Sequence, residues 1–266
     1  MKRNLVLLVF VGVALLVGVN AHAWDTNMHV QIASVVEDYA VCPSGSYDFH
    51  QYVFENYAAH PDSPYHTQDY WGNTWYLPYG REYNHHTCVG IGDMAHVWVS
   101  DYGTSCFGDR GCADTNADLW WKEAYYNKYF YEMSTSSFYS TYCLLGEGSH
   151  YAQDVCYPWH TTALSAYQIC HTSSETFAWN NFYSGYMLSN SVREGAVWAR
   201  YYYAPSHYDY DKFNMVHEAS NLAYTWSFGS GLNCANYGSW DKKQIWQNLT
   251  WLAGAATMVY MRPICQ

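Results

Sequence analysis

The sequence predicts an all-α fold in a single domain. Apolar residues recur at helical spacing along most of the chain, while the strict alternation of a half-buried strand is scarce. Pro43, Pro61, Pro64, Pro78, Pro158 and Pro205 all fall between the periodic stretches, where a ring without an N–H ends a helix. No internal repeat and no linker rich in Pro, Gly or Ser divides the chain.

In order, the periodicity predicts helices over 27–39, 47–59, 91–102, 117–133, 138–155, 171–188, 192–203, 212–227 and 242–261. Asp25-Thr26, Thr115-Asn116, Asn190-Ser191 and Ser239-Trp240-Asp241 offer capping side chains at four of the starts. Residues 61–88 read as an irregular connection, long enough to carry function. The 29 Tyr and 13 Trp supply rings that pack between helices while their polar tips find partners.

The chain opens with Met1-Lys2-Arg3, an apolar run over 5–19, and Ala21-His22-Ala23. A basic start, a short apolar middle and a small-x-small ending describe a cleavable secretory signal over 1–23, and the run is shorter than the roughly 20 residues of a spanning helix. The expectation is a secreted, periplasmic or extracellular protein of residues 24–266 beginning at Trp24, with no transmembrane anchor after processing. Cleavage removes Lys2 and Arg3 and no acidic residue, moving the formal charge from −11 to −13. Such a chain has no broad basic surface for nucleic acid or anionic lipid, so a phosphate-bearing substrate must be held locally.

The nine cysteines are Cys42, Cys88, Cys106, Cys112, Cys143, Cys156, Cys170, Cys234 and Cys265. None forms a C-x-x-C pair, which excludes ribbon and finger zinc sites, and export favours disulfides. Cys106 and Cys112 flank a short Gly-containing loop and are the easiest pair to close. The odd count leaves at least one thiol free or paired between chains, and connectivity does not follow from spacing.

The chemistry concentrates between positions 150 and 175. His150 and Asp154 stand four apart, as do His171 and Glu175, so each pair shares one helix face a turn apart. His160 follows Pro158, in the turn where a chain can fold back. Imidazole and carboxylate donors suit zinc in a site that keeps positions open to water. A lone histidine on an amphipathic helix is more often packed or solvated, and His50, His60, His66, His96, His207 and His217 are read that way. The joint H-x3-D-x5-H and H-x3-E arrangement is a metal-ligand pattern.

That pattern, within His150-Tyr151-Ala152-Gln153-Asp154 through Pro158-Trp159-His160 and then His171 to Glu175-Thr176-Phe177, resembles the bacterial zinc-dependent phospholipases C. Their superfamily includes the fungal single-strand-specific nucleases, which carry H-x3-D in the last motif, so Glu175 favours the phospholipase branch. The resemblance implies a helical bundle around three zinc ions. It implies a first ligand in the free amine and carbonyl of an N-terminal Trp, and Trp24 directly follows the expected cleavage site. His29 matches the early His of the family, at a spacing closer to the nucleases. The remaining ligands are an Asp, Asp62 with Asp69 as the fallback, and a His, His85 or the adjacent His86, across a gap longer than the family usually has.

The resemblance implies that Asp154 bridges two ions, that His160, His171 and Glu175 hold one, and that His85 with His150, and Trp24 with His29, complete the others. Asp62 is the candidate general base or water-orienting residue, with Asp154 the second catalytic carboxylate. The expected activity is a phospholipase C that releases diacylglycerol and a phosphorylated headgroup from a membrane or micelle. A single-strand nuclease or nucleotidase acting on single-stranded nucleic acid is the alternative. A secreted scaffold with a structural zinc cluster is the non-enzyme reading, although a structural site needs only four ligands. Tyr65, Tyr70, Trp71 and Trp75 could receive a quaternary amine or a base equally well.

Overall fold

The computed structural model describes residues 24, 26–40, 53–59, 61, 67–68, 74–75, 113–130, 135–161, 170–204 and 207–265. They are almost wholly helical, as the periodicity predicts. The main helices are α1 (Thr26–Glu37), α2 (Ala113–Phe130), α3 (Thr135–Asp154), α4 (His171–Asn180), α5 (Leu188–Tyr201), α6 (Lys212–Ser227) and α7 (Lys243–Met261). Residues 53–57 form a further short helical stretch. Within the expected irregular connection, β1 (Thr67–Gln68) pairs antiparallel with β2 (Thr74–Trp75), a ladder too short to signal itself by alternation.

Helix α7 is the spine, because its apolar positions run nearly all round from Trp246 to Met261 and are buried. A helix apolar on every face has to be surrounded. Its most extensive neighbour is α5, and α2 pairs similarly with α3. The α5–α7 approach depends on glycine from both sides. A Cβ on Gly195 would stand 1.9 Å from the Trp251 carbonyl oxygen, and one on Gly254 2.2 Å from that of Val192. At the far end of α7, Arg262 donates to Asp209 and to the Ala199 and Tyr203 carbonyls, tying the helix terminus to α5.

Several boundaries differ from the sequence expectation. The predicted 171–188 helix is two elements, since α4 stops at Asn180 and a turn follows. There Asn181 donates its side-chain amide to the Phe177 carbonyl (2.8 Å), competing with helix continuation, and Ser184 does likewise at Asn180. Helix α5 then starts from Met187, in the left-handed region at φ 53°, so Asn190 and Ser191 lie inside it rather than capping it. Helix α2 begins at Ala113, which puts Asn116 in its first turns as a buried residue. Ser239 precedes a 3-10 turn (Trp240–Lys242), after which α7 starts. The helix predicted over 91–102 and the first part, 47–52, of that predicted over 47–59 lie outside the described residues. Among the described residues no helix is long and apolar enough to cross a membrane.

Candidate metal centre

The last two turns of α3 carry His150 and Asp154, and both side chains point into the protein with no exposure. His150 Nε2 lies 3.1 Å from Asp154 Oδ2. Helix α1 delivers His29 from the other side, its Nε2 3.0 Å from Asp154 Oδ1 and its ring stacked on that of His150 at 4.0 Å. Beyond Asp154 the chain turns into a 3-10 segment (Pro158–Thr161) that folds His160 back, with Nδ1 3.8 Å from Asp154 Oδ2. The other nitrogen of that ring, Nε2, is 2.9 Å from His171 Nε2 at the start of α4. One turn later Glu175 closes the arrangement, its Oε1 3.0 Å from His171 Nε2.

These residues form two buried groups able to hold metal, His29 with His150 and Asp154, and His160 with His171 and Glu175. Asp154 faces both. Zinc with bonds of about 2.0–2.1 Å to N and O separates neighbouring ligands by roughly 3.3 Å in a tetrahedron. The observed spacings of 2.9 to 3.1 Å are close to that edge. Electrostatics point the same way. Asp154 is fully buried at a helix C-terminus, the end that disfavours a carboxylate, and Glu175 is nearly as buried. A buried carboxylate is either protonated or compensated by a cation, and a metal held by the neighbouring imidazoles would compensate both.

The outer contacts decide which nitrogens face the centre. His150 Nδ1 donates to the Ala58 carbonyl (2.8 Å), an atom that can only accept, so Nδ1 carries the hydrogen and Nε2 turns inward. His29 Nδ1 donates to Gln153 Oε1 (2.8 Å) with the same result. Behind His171, Tyr157 donates to its carbonyl (2.9 Å) and contacts Ser174 Oγ. Burial, with the charge of Glu175, pushes the Tyr157 phenol well above its ordinary pKa, so it stays a neutral donor. Burial and then Asp154 likewise hold the Cys156 thiol protonated. A wall of buried rings, Trp24, Tyr157, Trp159 and Trp246, excludes water beneath the centre.

Trp24 is fully buried, and its indole Nε1 donates to the Gln153 carbonyl (2.9 Å), one residue before Asp154. Asp62, Asp69, His85 and His86 lie outside the described residues, as do Tyr65, Tyr70 and Trp71. A disulfide joins Cys170, directly before His171, to Cys234. Cys106 and Cys112 are outside the described residues, Cys265 is also disulfide-bonded, and Cys156 is a buried thiol. Of the histidines set aside in the sequence, His207 is exposed and His217 pairs with Asp114 at 3.6 Å. His50, His60, His66 and His96 fall outside the described residues.

Sequence reasoning passed over Gln153 and Ala58. Gln153 was legible in principle, since it stands three residues after His150 on the same helix face. Ala58 contributes a main-chain carbonyl at the end of a helical stretch, which no side-chain pattern announces. Comparisons with known protein families, with curated proteins and with solved structures find no match for this chain.

Proposed function

We propose that the chain is a secreted zinc-dependent phosphodiesterase, a phospholipase C that cleaves glycerophospholipids to diacylglycerol and a phosphorylated headgroup. The observation that carries this reading is the pair of adjoining buried ligand groups facing one carboxylate, Asp154. A structural site is closed by four ligands, whereas two linked groups fit a centre that works on a substrate. By the family resemblance the centre holds three zinc ions, with Trp24, Asp62 and His85 completing the set.

Bound zinc would supply polarisation of phosphoryl oxygens and activation of water near neutral pH. The chain's own residues do the rest. Asp154 links the groups, with Oδ1 beside His29 and Oδ2 beside His150 of the first and 3.8 Å from His160 of the second. Ala58 and Gln153 orient His150 and His29 through Nδ1. The ring wall keeps the surroundings dry, which strengthens every charge interaction inside. Asp62 would orient the attacking water.

The test is direct: protein beginning at Trp24 is reconstituted with zinc, its metal quantified, and phosphatidylcholine and single-stranded DNA assayed side by side. Release of diacylglycerol with about three zinc ions per chain is expected from the resemblance and open-site logic. Cleavage of DNA alone assigns the nuclease reading instead, and stoichiometric zinc with hydrolysis of neither leaves a structural cluster.

A further inference from the structure

Gln153 is a fully buried carboxamide on α3 that makes two contacts with a segment more than a hundred residues away in sequence. Its side-chain oxygen accepts from His29 Nδ1 at 2.8 Å, and its main-chain oxygen accepts from the Trp24 indole at 2.9 Å. Its side-chain nitrogen is buried and meets no acceptor among the described residues. Among the described residues, the part of the side chain that makes a contact is its oxygen.

We propose that Gln153 is the positioning residue for the N-terminal side of the centre, holding His29 in the tautomer and orientation that present Nε2 as a ligand. The proposal rests on the metal reading above. His150 shows the same device in its unmutable form, because its Nδ1 is held by the main-chain carbonyl of Ala58. At His29 the acceptor comes from a side chain, and it lies next to Asp154, the carboxylate that His29 Nε2 faces. A ring hydrogen-bonded at Nδ1 cannot swap tautomers or rotate without losing that bond, so its Nε2 lone pair is preorganised toward the centre. The main-chain contact to Trp24 places the first residue of the mature chain against the same turn of α3. One residue thus registers both N-terminal contributors.

The experiment uses protein beginning at Trp24, with Gln153→Met, Gln153→Glu and His29→Ala, and combines the Met and Ala changes. Zinc affinity is measured by chelator competition, the ligand field by the visible spectrum of the cobalt-substituted protein, and folding by thermal unfolding after metal removal. Gln153→Met should weaken one zinc on the order of 10- to 100-fold and alter the cobalt spectrum, with little loss of metal-free Tm. In the His29→Ala background it should do nothing further. Gln153→Glu keeps the acceptor and should bind zinc at least as tightly as wild type. Wild-type affinity and spectrum in Gln153→Met overturn the proposal alone, as does a loss in Gln153→Glu whether or not the Met variant folds. Absence of zinc from the wild-type protein removes the metal reading and this inference with it.

Discussion

His160 Nε2 and His171 Nε2 face each other at 2.9 Å, although eleven positions separate the residues. Neutral imidazole carries one hydrogen, so two ring nitrogens at this distance either share it or both offer lone pairs to a cation. Glu175 stands 3.0 Å from the same His171 nitrogen, so a cation between them would satisfy all three.

Removing either histidine should therefore disable the group as a unit. His160→Ala and His171→Ala should each lower zinc affinity on the order of 100-fold or more, and the double variant should lose little beyond either single change. Chelator competition checks this. Strictly additive losses would show that the two rings serve separate ions.

The N-terminus should matter by its amine as well as by its ring. A peptide nitrogen is a poor ligand, whereas an α-amine with a pKa near 8 is readily held deprotonated by a neighbouring cation. Protein carrying one extra Ala before Trp24 should bind about one zinc fewer and lose hydrolysis, while its indole still docks on Gln153. Equal zinc and equal rates in both forms would remove the amine from the ligand set.

Glu37, in the last turn of α1, makes stability fall with rising pH. Burial, then the charges of Glu55 and Asp38, push its carboxyl up to about 9 from the ordinary 4.5. Folding then takes up a proton between those values. Its contribution is intact below about pH 4.5 and declines upward through about 9, by at most about 1.4 kcal/mol per pH unit. Glu37→Gln should be nearly neutral at pH 4.5 and stabilising at pH 8 in urea titrations. A variant no more stable than wild type at pH 8 contradicts this sign.

The Cys170–Cys234 bridge spans 64 positions and ends beside His171. The chain-entropy relation assigns such a loop up to about 4 kcal/mol of stabilisation. Replacing both cysteines by serine should lower the urea midpoint and weaken zinc at the His160–His171–Glu175 group. An unchanged midpoint would show that packing alone holds the start of α4.

Fold class was legible because helical periodicity is local: α3, α6 and α7 fall within a few residues of where the apolar spacing puts them. The position of the break between α4 and α5 was not, since the competing hydrogen bonds of Asn181 and Ser184 appear only when the turn is formed. His150 with Asp154, and His171 with Glu175, were legible for the same local reason, a four-residue step on one helix face. His29 was carried only by family resemblance.

By itself, then, the sequence determined an all-α chain and the pairing of imidazoles with carboxylates within single helices. Tertiary structure decided that α1 meets α3 so that His29 joins His150 on opposite oxygens of Asp154, and that the turn after Pro158 brings His160 to His171. It also decided which nitrogen each ring presents, through the Ala58 carbonyl and the Gln153 side chain. The physical reason is range. Helical spacing is written in neighbouring residues, whereas the tautomer of a buried imidazole depends on acceptors that packing brings from 92 and 124 positions away.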